Sequence, residues 1–191
     1  MFQAVPNVGG GRASCQDNRS TFEINRGGQF ESWSDAVLRS YVADLEEAQR
    51  AGRNLLTEKY ARMMESTSPQ EYARIAHLLP SIDPEAQARI EEIVQISLAW
   101  EEALADRYPN VIRRGRPIRS SEDSLHVTSA ETYLRGELAT YSVETLRLLA
   151  DHVRTLREDG ENGSERILDH VMRRHGFASL DEANQKLGAR V

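Results

Sequence analysis

A single cysteine, Cys15, is all the thiol this chain contains, so no disulfide can close within it, and a reducing, cytoplasmic setting is expected. Long apolar runs are missing too, and none approaches the roughly 20 residues that span a bilayer. The opening "MFQAVPNV" lacks the basic region and apolar core of a secretory signal. An excess of basic charge is also absent. The net charge of −6 disfavours broad nucleic-acid binding, which depends on neutralising phosphates. No convincing run of alternating β-branched residues marks a strand. Neither Gly-Lys-Ser/Thr nor Gly-x-Gly-x-x-Gly occurs, which excludes the phosphate loop and the dinucleotide fingerprint.

What is present reads as helices. Hydrophobic residues at 39% and charged residues at 28% suit one globular domain over the 191 residues. Ser68-Pro69-Gln70-Glu71 has the form of a capping box with proline at the first helical position. Asp83-Pro84 opens a long segment with Ile90, Ile93, Val94, Trp100, Leu104 and Tyr108 at helical spacing. Ser34 is placed to cap a helix whose apolar face is Val37, Leu38, Tyr41, Val42 and Leu45, stopping at Gly52. Ser142 does the same for a helix that stops at Gly160. Shorter helices are expected over 55–65, 165–174 and 180–187, the last opened by a Ser179/Glu182 box. The fold class is all-α.

The sequence also repeats itself. "PNVGGGRASCQD" at 6–17 and "PNVIRRGRPIRSSED" at 109–123 share Pro-Asn-Val, Gly-Arg and Ser-x-x-Asp in the same order. Gly28, Ser34, Leu38, Arg39, Gly52, Asn54 and Met64 then match Gly136, Ser142, Leu146, Arg147, Gly160, Asn162 and Met172 at a constant offset of 108. A single domain built of two related units is expected, one over about 1–80 and one over about 84–191, packed about a pseudo-twofold axis. The second unit has a helix ahead of its loop and the first does not, so a leading helix is either lost or encoded upstream.

The strings "FQAVPNVGGGRASCQDNRSTFEINRGGQFESW", "GRNLLTEKYARMMESTSPQEY", "RGRPIRSSED" and "TYLRGELATYS" resemble a bacterial family catalogued as domain of unknown function 4125. The resemblance covers nearly the whole chain. It departs in two places: members usually carry a helix before the first string, and they tend to have two glycines before "RASCQ" where this chain has three. No activity attaches to the family, so the resemblance implies a fold and no mechanism.

The candidate chemistry sits in the two loops. Glycines 9–11 allow backbone amides to approach an anion, or simply form a turn. Arginines bind carboxylates and phosphates in bidentate fashion. Arg12 and Arg116, equivalent in the repeat, rank above Arg113, Arg114 and Arg119, although pairing with the chain's many acids is the plainer alternative. Ser14, Ser120 and Ser121 offer hydrogen bonds, and Asp17 and Asp123 can orient them. Cys15 is either a structural thiol or a nucleophile with a lowered pKa, but Ser121 stands at its matching place. Lys59, Tyr60, Glu137 and Tyr141 could supply acid/base groups. Glu165, Asp169, His170 and His175 lack the spacing of a di-iron bundle, so no metal and no cofactor is expected.

These residues predict a protein that binds a small anionic, carboxylate or amino-acid-like molecule. Any reaction would be metal-independent acid/base or nucleophilic chemistry through Cys15, Tyr60, Glu137 and Tyr141. Arg12, Ser14, Asp17, Arg116, Arg119, Ser120, Ser121 and Asp123 would hold the substrate. A non-catalytic protein-interaction module and a local RNA or phosphate contact through 113–119 are the alternatives. No membrane partner is expected, and a homodimer is left open.

Overall fold

The computed structural model describes residues 18–189. Ten α-helices run through them: α1 (Arg19–Glu31), α2 (Asp35–Arg50), α3 (Leu55–Thr67), α4 (Pro69–Ile75), α5 (Pro84–Arg107), α6 (Pro109–Ile112), α7 (Ala130–Leu138), α8 (Val143–Glu158), α9 (Gly163–Arg174) and α10 (Leu180–Gly188). Among the described residues the only β pairing is an isolated bridge between Ser124 and Val127.

Most helix starts follow the expected cap chemistry. Ser34, Ser142 and Ser179 accept hydrogen bonds from Val37, Thr145 and Glu182 amides, satisfying donors that a helix start leaves open. Gly52 and Gly160 terminate α2 and α8 with φ of 67° and 74°, a region that side chains disfavour. Ser68 differs from expectation: its hydroxyl makes no cap bond, and proline at the first position alone opens the short α4. Two helices, α1 and α7, were not separately expected. Both carry glycines that depress helix propensity, yet α7 packs into the core and α1 lies against α9 through Gly28. The second loop opens with a helical turn, α6, rather than extended chain.

The core is organised around α5, which packs against α6, α7, α8 and α9. Because it has neighbours on several sides, it buries Ala86, Ile96 and Leu98 in addition to Ile90, Ile93, Val94 and Leu104. A single amphipathic stripe therefore understates its burial. Leu138, Leu146, Leu149, Val153 and Val37 complete that core from α7, α8 and α2. An aromatic group, Phe30, Trp33, Tyr41 and Tyr141, closes one end, with Trp33 and Tyr141 edge-to-face at 6.1 Å. Of the apolar face expected for α2, Val37 is fully buried but Val42 is 51% exposed.

Beside the packing of α2 on α8, two helix crossings join the halves of the chain: α3 on α7, and α1 on α9. Each is made close by a glycine. A Cβ at Gly136 would lie 2.9 Å from the Lys59 carbonyl oxygen, and one at Gly28 would lie 3.2 Å from the Ile167 carbonyl oxygen. Backbone cannot swing aside as a side chain can, so a methyl at 136 forces the helices apart. Gly136→Ala should lose about 1–3 kcal/mol to overpacking, more than the ~1 kcal/mol that alanine gains in helix propensity. Gly27→Ala, whose nearest neighbour is the His170 ring at 3.6 Å, should hold or raise stability. Thermal unfolding followed by circular dichroism distinguishes the two. An equally stable Gly136→Ala variant would mean the crossing is not close-packed.

Candidate functional site

A buried ionic cluster ties α1, α3 and α7 together. The i, i+4, i+8 spacing of Leu55, Lys59 and Met63 puts a lysine in the middle of a buried helical face. Its side chain is only 2% exposed, and its Nζ meets Glu137 Oε2, whose own side chain is 6% exposed. Arg26 from α1 pairs with Glu137 Oε1. Gln29 Nε2 donates to the same oxygen at 3.2 Å, and the Tyr141 hydroxyl donates to it at 2.7 Å. Arg26 in turn donates to Gln29 Oε1 at 2.6 Å. Lys59 Nζ also lies 3.2 Å from the centre of the Tyr133 ring, and the Arg116 guanidinium lies 4.7 Å from it.

The electrostatics follow from this count of donors. Burial by itself would push the Glu137 carboxyl up, but Lys59 and Arg26 hold it down at about 2. Burial also drives the Tyr141 hydroxyl well above its usual range, and the Glu137 charge adds to that. At neutral pH the carboxylate is therefore a fixed anion, accepting three hydrogen bonds at Oε1 and one at Oε2, and the phenol keeps its proton. The arrangement orients groups and leaves one positive charge in excess of the carboxylate.

On another side of α7 lies a cleft of about 690 Å³, lined by polar and apolar surface in equal measure. Its walls are α3 (Arg62, Glu65, Ser66), α4 with the following 3-10 turn, the 79–82 connection, the start of α5, Ser120, and α7 (Thr132, Arg135, Gly136, Ala139). Asp123 stands behind this wall. It accepts from the Ser66 hydroxyl, the Thr132 hydroxyl and the Ser129 amide. Burial works to raise its pKa, but these hydrogen bonds outweigh it and keep the carboxyl below its usual range. Arg62 donates through Nη2 to the Pro80 carbonyl at 2.6 Å. Its Nε is buried and has no hydrogen-bond partner among the described residues.

Arg12, Ser14, Cys15 and Asp17 lie outside the described residues. Glu137 and Tyr141 are brought together in the cluster, with Lys59 between helices. Tyr60, next to Lys59 on α3, is half-buried and does not line the cleft. Of the second loop, Ser120 lines the cleft and its amide donates to Glu131 Oε2 at 3.0 Å, Asp123 backs it, and Ser121 is exposed. Arg119 Nε donates to Glu102 at 2.7 Å, Arg114 to the Leu187 carbonyl, and Arg116 to the Thr128 carbonyl beside Tyr133. Arg26, Gln29, Arg62 and Thr132 were not singled out from the sequence. The signal for Arg26 and Gln29 was their closeness to Gly28, one of the repeated glycines. For Arg62 there was none beyond a charged residue on an amphipathic helix.

Fold and site together define an all-helical protein in which a buried charge cluster on three helices stands behind a cleft. The chain belongs to the family described as Protein of unknown function (DUF4125), which it matches over residues 1–185. No curated protein and no solved structure matches it. No helix among the described residues is long and apolar enough to cross a membrane.

Glu137→Gln keeps the shape of the side chain but strands two buried cations, which should cost about 3–5 kcal/mol. The sign with pH is set by the depressed pKa. The carboxyl titrates near 4.5 when unfolded and near 2 when folded, so its contribution is complete above 4.5 and fades as pH falls toward 2. Urea unfolding of wild type and variant should show a constant stability gap from pH 6 to 8 that narrows below pH 4.5. A gap that persists undiminished at pH 3 would show that Glu137 is not the paired anion.

Proposed function

We propose that this protein binds a small carboxylate-bearing molecule, amino-acid-like in its charge pattern, in the cleft between α3, α4, α5 and α7. The observation that carries this reading is Arg62, a guanidinium held by the Pro80 carbonyl whose Nε is buried in the cleft wall without a partner among the described residues. Leaving such a donor unpaired is costly, and a carboxylate is the ligand that matches its geometry. The opposite polarity is supplied nearby. Ser66 and Thr132 direct their protons to the ionised Asp123, so their remaining lone pairs are free to accept from an ammonium group. Glu65 lines the same cleft and forms no ion pair with a described residue. The arginines of the 113–119 stretch are less suited to a nucleic-acid strip, since Arg114, Arg116 and Arg119 are engaged within the chain.

In the same proposal, the two halves are copies of one helical unit related by a pseudo-twofold axis. What supports it is reciprocity at the offset of 108. The first unit's α3 packs on the second's α7, while the second's α9 packs on the first's α1. The matched glycines, Gly136 and Gly28, approach the carbonyls of matched residues, Lys59 and Ile167. The matched aromatics Trp33 and Tyr141 touch each other, as do Gln29 and Glu137.

The test is thermal-shift titration with acetate, succinate, L-alanine, L-glutamate and inorganic phosphate. At 100 times its dissociation constant a ligand stabilises the native state by about 2.7 kcal/mol. Wild type should respond to the carboxylates, Arg62→Ala should lose the response, and Arg119→Ala should keep it. Silence of the wild type toward every carboxylate at millimolar concentration would overturn the reading.

A further inference from the structure

Among the positions at which the two helix crossings differ, one pair falls inside the cleft. In the crossing of α1 on α9, His170 packs over Gly28 and its Nδ1 meets Glu31 Oε2 at 2.8 Å. At the offset of 108 that places Gly28 on Gly136 and Ile167 on Lys59, His170 corresponds to Arg62 and Glu31 to Ala139. In the crossing of α3 on α7, the cationic position is therefore kept while the carboxylate opposite it has become a methyl group. Arg62 Nε is buried with no partner among the described residues, and Ala139 lines the cleft of about 690 Å³.

We propose that the space between Arg62 and Ala139 is a carboxylate subsite, in which the ligand's carboxylate takes the place that the Glu31 side chain fills in the other crossing. This rests on the carboxylate reading of the cleft and adds where the head group sits and how it is oriented. Arg62 is anchored through Nη2 to the Pro80 carbonyl, which limits the ordering of its side chain on binding. Arginine in place of histidine fits an external ligand, because a guanidinium stays charged across the whole working range of pH and offers parallel donors to both oxygens. The rest of the ligand extends toward Ser66, Thr132 and Glu65, whose acceptors suit an amino group. Ligands with one carboxylate and a nearby ammonium fit both ends, and inorganic phosphate satisfies only one.

The inference is tested by restoring the missing side chain. Ala139→Glu supplies an internal carboxylate that competes for Arg62. The ligand-free variant should melt about 2–4 °C higher than wild type, and that gain should vanish when Arg62→Ala is added. Ala139→Gln controls for size and should show no Arg62-dependent gain. With L-alanine and acetate as probes, the shift seen in wild type should be lost in Ala139→Glu and in Ala139→Gln alike, because both side chains fill the subsite, and retained in Ala139→Ser. Arg62→Gln, which leaves residue 139 untouched, provides a second variant and should lose the shift with its circular dichroism unchanged. If wild type responds to the probes while Ala139→Glu still binds them and shows no coupling to Arg62, the subsite is wrong and the cleft reading stands. If wild type responds to neither probe, both fall together.

Discussion

A carboxylate cannot be buried alone, and the centre of this protein is built on how Glu137 meets that constraint. Removing an ion from water costs several kcal/mol even after relaxation. Donors brought to it offset that cost, and here they come from two separate helices and the turn that follows α7: Arg26 and Gln29 from α1, Lys59 from α3, and Tyr141. Burying the charge therefore imposes a fixed relation among α1, α3 and α7. Lys59 meets Glu137 where Gly136 lets the two helices approach until a Cβ would touch the Lys59 carbonyl. Tyr133 extends the same constraint outward, with Lys59 over its ring and Arg116 of the second loop also against it.

Helix α7 makes this interior matter to the cleft. Its residues divide by helical spacing. Tyr133 and Glu137 belong to the charge cluster, whereas Thr132, Arg135, Gly136 and Ala139 line the cleft. A rigid-body change in α7 would move both sets together. Asp123 adds a second brace, since it joins Ser66 of α3 to Thr132 of α7 and to the Ser129 amide at the start of α7. The cleft wall is thus held from behind at two points, which is the condition for polar groups to be positioned rather than merely present.

The helical architecture was legible wherever periodicity and caps were strong. Ser34 with Gly52, and Ser142 with Gly160, bracket α2 and α8 as the local chemistry dictates. Helix α1 was not, because "NRGGQF" contains two glycines that lower propensity and is held by packing on α9 instead. The candidate site was legible in part. Glu137 and Tyr141 were named with Lys59 and Tyr60 as candidate acid/base groups, and Asp123 and Ser120 through the repeated loop. Arg26 and Arg62 did not, since a lone arginine on a helix reads the same whether its partner is water, a buried carboxylate or nothing. Burial is a property of the opposing surface, which local sequence does not state. Several arginines of the second loop, prominent as a run, turned out to be spread over the Glu102 side chain and the Leu187 and Thr128 carbonyls.

On the proposed duplication, the two crossings offer an internal comparison that a single site cannot. One carries Lys59 and Glu137; at the matched positions the other carries Ile167 and Gln29. A helix crossing with a close glycine therefore does not require an ion pair, and apolar replacements for buried ion pairs are often as stable or more so. Stability alone is then a poor reason for the charged version to sit where it does. The two crossings also differ at their second position, where one has His170 paired with an exposed Glu31 and the other has Arg62 with Ala139 in the cleft. The charge cluster and the open cleft occur on the same crossing. The consistent account is that the cluster fixes α7 at the one place where a side chain has been removed and a wall must keep its shape without it.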